Sequence, residues 1–189
     1  IASHNEGLAP YFREYLRGVL KDWCANHTKP DGSNYNVYTD GLKVNTTINS
    51  HLQQFAEDGM KIHISNLQKD FYTHWEGHAK APYPNDFKWE KINTIIDQGM
   101  KRSERYIKLK KEGKSLEEIK TIFNKKVPMT LFSWNGEIDT TLSPRDSIKY
   151  HKFFIHSGMM SMDPQTGHVK AYVGGINYKY FKYDHVKVG

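Results

Sequence analysis

Three groups of side chains in this sequence have types and spacings that could support chemistry: a histidine pair, a carboxylate group and a basic segment. His74 and His78 flank Glu76 in the stretch HWEGH, which is the nearest approach to a metal-binding pattern. In the H-E-x-x-H motif of zinc hydrolases the glutamate follows the first histidine directly, and both histidines share one helix face. Here the glutamate lies midway and no third ligand is apparent. Exposed polar histidines are the preferred interpretation, and a small metal-dependent hydrolase is the alternative.

The carboxylate group consists of Glu137, Asp139 and Asp146, which lie near the ends of predicted strands. A pair of carboxyl groups at a suitable separation can serve as the acid and base of a glycoside hydrolase. The chain contains 21 Asp and Glu residues, so neighbours of this kind also arise by chance. We therefore assign these residues no catalytic role.

The basic segment, KRSERYIKLKKEGK, spans residues 101–114 and interleaves Lys and Arg with Tyr106, Ile107 and Leu109. Such a pattern is compatible with binding to nucleic acid or to a lipid surface, and a solvated helix face is the simpler interpretation. The whole chain carries a net charge of +6, with a pI near 9.2. This excess favours anionic partners without choosing between them.

The remaining titratable side chains predict no site. Cys24 is the single cysteine, so no internal disulfide can form, and we interpret it as a small buried hydrophobic residue. The sequence contains no glycine-rich phosphate-binding loop. The other eight histidines are scattered along the chain: His4, His27, His51, His63, His151, His156, His168 and His185.

Length and composition indicate a polar globular chain with room for one sizeable core. It has 189 residues, 38% of them hydrophobic, and a mean hydropathy of −0.74. No apolar run approaches the roughly 20 residues that span a bilayer. The start, IASHNEGLAP, has neither the basic region nor the apolar core of a signal peptide, and its first residue is Ile. We therefore expect a chain that was cut from a longer protein or processed.

The first part of the chain predicts a helix, a strand and a second helix. Residues 8–23 place their apolar side chains on one helical face. Residues 42–47 alternate between apolar and polar, which is the period of a strand. Asn49 or Ser50 can then cap a helix. The expected buried side of that helix consists of Leu52, Phe55, Ala56 and Met60.

The rest of the chain predicts a helical insertion followed by two hairpins. Residues 65–128 are rich in charged and aromatic side chains, and a capping box of Ser115 and Glu118 starts one of their helices. Residues 129–142 predict a hairpin around a two-residue turn, Asn135-Gly136, and residues 158–174 predict a second hairpin. Between the hairpins lies a helix capped by Ser143. The expected fold class is α+β. The predicted apolar face in the insertion consists of Trp89, Ile92, Ile95, Ile96 and Met100.

Three stretches, in chain order, resemble class A (bifunctional) penicillin-binding proteins. APYFREYLRGVL, residues 9–20, resembles the segment that follows the glycosyltransferase domain in these proteins. GLKVNTTINSHLQQFAEDGM, residues 41–60, is similar to the strand and helix that open their transpeptidase region. DPQTGHVKAYVGG, residues 163–175, resembles the first hairpin of the transpeptidase domain. The tail FKYDHV, residues 181–186, resembles the loop that leads toward the active-site serine.

The resemblance also has departures, and the catalytic signature is the most important of them. These transpeptidases use an S-x-x-K serine nucleophile and lysine, completed by S-x-N and K-T-G motifs. No serine in this sequence has a lysine three positions later, and K-T-G is absent. Ser133-Trp134-Asn135 fits S-x-N but precedes the place where S-x-x-K belongs, so we take it as chance. Asn45 stands where the family usually has an aromatic residue. We predict no catalytic, cofactor-binding or metal-binding residue in this chain.

The resemblance implies a division of the chain into parts. Residues 1–40 are expected to be a linker after an absent glycosyltransferase domain. Residues 41–64 and 129–189 are expected to form the first part of the transpeptidase domain, interrupted by the helical insertion at 65–128, which does not match the common core.

The function implied by the resemblance is that of a non-catalytic fragment of a bifunctional peptidoglycan synthase. Its parent would be anchored in the bacterial cytoplasmic membrane, with this region on the periplasmic or outer side. The implied partners are peptidoglycan stem peptides and β-lactams at a downstream site, with a cell-wall regulatory protein possible at residues 65–128, and no cofactor or nucleic acid. The alternative is a basic binding module for an acidic polymer or partner protein, without catalysis.

Overall fold

The computed structural model describes residues 7–187 and has the mixed helix and strand content of an α+β fold, as predicted. The described chain separates into two compact units: unit 1 contains residues 7–66 and 156–187, and unit 2 contains residues 67–155. The elements in chain order are α1 (Pro10–Ala25), α2 (Ser50–Trp75), α3 (Trp89–Arg102), α4 (Glu104–Lys111), α5 (Leu116–Asn124), β1 (Val127–Leu131), β2 (Ile138–Leu142), α6 (Pro144–His151), β3 (Met159–Met162) and β4 (Val169–Val173).

In unit 1, helix α2 begins where the sequence predicted, but only Ala56 and Met60 of its predicted face are buried. The Asn49 side chain accepts a hydrogen bond from the Leu52 amide at 3.1 Å, which is the expected cap. Leu52 and Phe55 were expected to be buried and are instead 45% and 71% exposed. The buried face is shifted around the helix axis because Gln53, a polar residue, makes the contact with the hairpin of β3 and β4. It consists of Gln53, Ala56, Met60 and Ile64.

The prediction of a strand at residues 42–47 is wrong. These residues have no regular secondary structure. A strand requires a backbone ladder, whereas this segment contributes one bond, from the Thr47 hydroxyl to the Val169 carbonyl at 2.8 Å. Period-2 alternation alone could not show that no neighbouring strand is available.

Strands β3 and β4 form the predicted antiparallel hairpin, with Met159 paired to Val173. The turn is stabilised by the Asp163 carboxylate, which accepts the Gln165 amide at 2.9 Å and holds the reversal closed. Gly167 has a φ of +71°, a backbone conformation that glycine adopts without strain. The local turn signals in the sequence were therefore sufficient to predict this hairpin.

Unit 2 is built around α3, α5 and α6. Met100, Ile119 and Phe123 form its buried apolar cluster. The predicted capping box at α5 is present, because the Ser115 hydroxyl accepts the Glu118 amide and the Glu118 carboxylate accepts the Ser115 amide. Most of the predicted apolar face of α3 is buried, including Ile92 and Ile96, although Trp89 at its start is 51% exposed.

The two strands of unit 2 form a hairpin whose connection is longer than predicted. Leu131 pairs with Ile138, so residues 132–137 form a six-residue loop. The prediction of a two-residue turn at Asn135-Gly136 is therefore wrong. The Tyr150 hydroxyl donates to the Phe132 carbonyl at 2.8 Å, and the Phe132 ring packs 5.1 Å from that of Phe154. These contacts draw the chain into the core directly after β1, before a tight turn can close.

The division into residues 1–40, 41–64 with 129–189, and 65–128 stays a prediction. Among the helices of residues 7–187, none combines the length and the apolarity needed to cross a membrane.

Candidate functional site

The structure places the predicted histidine pair at the end of α2 and in the turn that follows. The rings of His74 and His78 stack with their centroids 6.4 Å apart, and both side chains are exposed. Within residues 7–187, no group of three or more His, Cys, Asp or Glu residues is arranged to hold a metal ion. Cys24 is buried, as the sequence predicted.

The predicted carboxylates have structural partners. Asp139, on the exposed face of β2, accepts the Thr130 hydroxyl at 2.6 Å. Asp146 lies in the first turn of α6, where it accepts the Ser143 hydroxyl at 2.7 Å and the Lys149 ammonium at 3.0 Å. These two donors, the hydroxyl first, lower the pKa of the Asp146 carboxyl below its usual range. Asp146 therefore remains ionised at neutral pH and stabilises the start of the helix.

Ser133, the first residue of the S-x-N match, is a loop residue of the β1–β2 connection. Its hydroxyl donates to the Gly136 carbonyl at 2.6 Å and accepts the Asn135 amide at 3.2 Å. The side chain thus closes the loop locally.

A buried polar network in unit 1 joins α2, β4 and the start of α1, and it begins at Gln53. The Gln53 amide nitrogen donates to the Tyr172 carbonyl at 2.9 Å, and its oxygen accepts the Tyr172 amide at 2.7 Å. One side chain therefore occupies both backbone groups of a β4 residue, as a neighbouring strand would. Gln53 is fully buried.

The network continues from Gln53 to the start of α1. The Gln53 amide nitrogen also donates to the Glu57 carboxylate at 2.7 Å, and the same carboxylate oxygen accepts the Ala9 amide at 2.7 Å. Ala9 precedes the helix in the left-handed region, with a φ of +52°. A non-glycine residue holds this conformation only where its surroundings support it, and the Glu57 contact supplies part of that support.

The segment after β4, residues 174–187, is tied back to this network at three points. The Tyr172 hydroxyl donates to the Asp184 carboxylate at 2.7 Å, the His185 amide donates to the Gly174 carbonyl at 2.7 Å, and the Tyr11 hydroxyl donates to the Phe181 carbonyl at 2.6 Å.

Two glycines allow this close approach between α1 and the end of β4. A Cβ atom on Gly174 would lie 2.7 Å from Cβ and Cγ of Tyr11 and 2.6 Å from the Asp184 carboxylate. A Cβ atom on Gly175 would collide with the Tyr11 hydroxyl. The ring of Tyr11 therefore packs directly against the backbone of Gly174 and Gly175.

The tyrosines of the network keep their protons at neutral pH. Burial raises the pKa of Tyr11, and burial together with the hydrogen bond to Asp184 raises the pKa of Tyr172. Both hydroxyls therefore act as permanent donors. The network contains no activated nucleophile, and what it can do is position residues 174–187.

Sequence reasoning missed this network for an identifiable reason. Gln53 lies beside Leu52 in a helix whose apolar residues suggested a different face, and glutamine is more often exposed than buried. The glycine pair was part of the resemblance motif, but nothing local indicated that Tyr11 would pack on it.

Replacing Tyr172 with Phe is expected to lower the free energy of unfolding by about 1–2 kcal/mol, because Asp184 loses a partly buried hydrogen bond donor. Thermal unfolding and amide exchange at His185 and Val186 measure the effect, and exchange there should accelerate. Tyr183→Phe is the matched control, because Tyr183 is 63% exposed, and it should stay within about 0.5 kcal/mol of the parent chain. Equal stability of the two variants would contradict the tethering role of Tyr172.

Comparison with known proteins gave one family match. Residues 78–155 match the model described as the penicillin-binding protein middle domain. The match covers less than half of the chain and runs through residue 128, where the resemblance had suggested a boundary. No curated protein and no solved structure matched the chain. The family match supports a penicillin-binding protein region, a kind of protein that acts in cell-wall synthesis, and does not specify class A.

Proposed function

We propose that this chain is a non-catalytic portion of a class A penicillin-binding protein, a bifunctional peptidoglycan synthase. It would join the glycosyltransferase domain to the transpeptidase domain and supply the first elements of the latter. The middle-domain match at residues 78–155 supports a penicillin-binding protein. The ordered resemblance of residues 9–20, 41–60 and 163–175, which all lie outside that match, supports class A.

The single observation that carries the proposed role is the tethering of residues 174–187. The Tyr172–Asp184 and Tyr11–Phe181 hydrogen bonds fix this segment to β4 and to α1. In the family that the chain resembles, residues 181–186 correspond to the loop that leads to the serine nucleophile. A rigid segment of this kind would fix the position from which the chain continues to the nucleophilic serine. Positioning of the reacting groups is a large part of what an enzyme contributes to acyl transfer.

The chemistry itself would belong to residues outside this chain. A serine of an S-x-x-K motif would be acylated by a peptidoglycan stem peptide, or by a β-lactam, with the lysine helping to activate it. The proposed chemistry implies a location at the bacterial cell envelope, in a parent anchored in the cytoplasmic membrane. A cell-wall regulatory protein could contact residues 65–128.

Labelling with a fluorescent penicillin tests the proposal. Three proteins are compared: this chain, the chain extended through its natural downstream sequence, and the extended chain with the serine of its S-x-x-K motif replaced by alanine. We expect covalent label on the extended chain alone. Label on the short chain would overturn the assignment of no catalytic residue to it. Absence of label from all three folded proteins would overturn the transpeptidase proposal.

A further preparation distinguishes class A from other penicillin-binding proteins. The chain extended through its natural upstream sequence should polymerise the lipid-linked disaccharide precursor into glycan strands. Penicillin labelling without polymerisation would retain the transpeptidase and overturn the bifunctional assignment.

A further inference from the structure

The excess positive charge of the chain is concentrated in one short region of unit 2. Residues 101–126 carry ten Lys or Arg side chains and four Glu side chains, a net charge of +6. This equals the net charge of the whole protein, so the remaining residues sum to zero. We call residues 101–126 the basic surface.

Most of the described cations in the basic surface form no ion pair. Lys114 and Lys120 form ion pairs with Glu118 and Glu117, at 3.6 Å and 3.0 Å. In the described part of the chain, the other eight cations are exposed and have no carboxylate within 4.0 Å of their nitrogens. These eight are Lys101, Arg102, Arg105, Lys108, Lys110, Lys111, Lys125 and Lys126.

Helix α4 presents apolar side chains among these cations. Tyr106 and Leu109 pack against the apolar cluster of unit 2, which fixes the inner face of the helix. The helical period then places Ile107, Lys108 and Lys111 on the outer face. Ile107 is 47% exposed, and Leu116, the first residue of α5, is 38% exposed.

We propose that the basic surface binds peripherally to anionic lipid headgroups, with Ile107 and Leu116 inserted at the boundary between headgroups and acyl chains. Juxtaposed lysines and exposed aliphatic side chains are the combination by which interfacial helices bind anionic bilayers. This proposal goes beyond the proposed function and does not depend on it.

The side chains of the surface favour a lipid over a nucleic acid. Its two aromatic residues, Tyr106 and Phe123, pack in the core of unit 2, so the surface offers no platform for stacked bases. Eight of the ten cations are lysines, whose ammonium groups act as compact point charges on flexible stems, whereas arginine is the side chain suited to two-point recognition of individual phosphates. A soluble polyanion such as a nucleic acid offers no apolar environment, so the exposed aliphatic side chains would bury no apolar surface on binding it.

Vesicle co-sedimentation of the 189-residue chain tests the proposal. One set of vesicles is neutral phosphatidylcholine and the other contains about 30 mol% phosphatidylglycerol. We expect binding to the anionic vesicles alone, and a loss of at least about tenfold in partitioning when NaCl rises from about 0.05 M to about 0.5 M. Failure to bind anionic vesicles at the lower salt concentration would overturn the proposal.

Variants separate the charge from the apolar contribution. K108Q/K111Q should lower partitioning by about tenfold or more, whereas K43Q/K61Q, the matched loss of two exposed lysines in unit 1, should stay within about twofold. Equal effects of the two pairs would overturn the assignment to the basic surface.

The substitution I107S should lower vesicle partitioning by about fivefold and leave the salt concentration of elution from heparin unchanged. Ile107 lies outside the core, so circular dichroism should show an intact fold. If I107S bound vesicles as the parent chain does, while K108Q/K111Q weakened heparin and vesicle binding alike, the surface would be a general polyanion site and the lipid proposal would be overturned.

Discussion

Adding a single methyl group at Gly175 is expected to destabilise unit 1 by about 3 kcal/mol, near the upper end of the usual cost of overpacking. The new Cβ atom would collide with the Tyr11 hydroxyl and lie 2.7 Å from Cζ of the same ring. Tyr11 is buried and its hydroxyl donates to the Phe181 carbonyl, so the ring cannot move aside without breaking a hydrogen bond. Gly174→Ala should have a similar cost, because its methyl group would lie 2.6 Å from the Asp184 carboxylate.

Chemical denaturation followed by tryptophan fluorescence measures these losses. Gly59→Ala is the matched control, because Gly59 lies within α2 and, apart from its chain neighbours and the helix's own backbone, no atom lies within 4 Å of the Cβ that it would gain. Alanine is the better helix former by about 0.5–1 kcal/mol, so the control should be stabilised. A Gly175→Ala protein as stable as the parent would mean that α1 does not pack on the end of β4 in solution.

Replacing Gln53 with Ala is expected to cost about 3–5 kcal/mol, because it leaves the buried amide and carbonyl of Tyr172 without partners. The cavity adds to this loss, since Gln53 is fully buried. Gln54→Ala is the matched control on the adjacent, exposed position, where the lost contact is a solvent-exposed bond to Asp58. It should remain within about 0.5 kcal/mol of the parent.

Gln53→Glu separates hydrogen bonding from volume. Glutamate keeps the shape and can still accept the Tyr172 amide, but when ionised it cannot donate to the Tyr172 carbonyl and it faces the carboxylate of Glu57. Burial and this like charge should raise the pKa of the new carboxyl, so the protonated form is favoured in the fold and the variant should lose stability as pH rises. Unfolding curves at about pH 5 and about pH 8 test this, with the Gln54→Glu protein as control. A Gln53→Glu protein as stable as the parent at the higher pH would contradict the bidentate contact.

Sequence signals predicted the elements that depend on neighbouring residues. The cap at Asn49, the capping box at Ser115 and the DPQTG turn are determined by side chains that bond their own local backbone, and all three are present. The two-residue turn at Asn135-Gly136 was wrong because Phe132 is held by Tyr150, which is 18 residues further along the chain. A local pattern carries no information about such a partner.

The same limit applies to the candidate site. Gln53 and Tyr172 are separated by 119 positions, and Tyr11 and Phe181 by 170, so no spacing rule connects them. The resemblance assigned Gln53 and Tyr172 to one domain and Tyr11 to the linker before it, and it gave no reason to join these particular residues. The prediction that the chain holds no catalytic residue stays a prediction, to be decided by the labelling experiment.

The side-chain contacts along β4 also limit how its sheet can grow. One edge of the strand pairs with β3. On the other side the Lys170 carbonyl accepts the Asn49 amide, and Gln53 bonds both backbone groups of Tyr172, the next residue that faces that way. A third strand would find these backbone groups already satisfied, so this border is closed to strand addition, including unwanted pairing between molecules. Any strand that extends the sheet has to join at Met159–Met162.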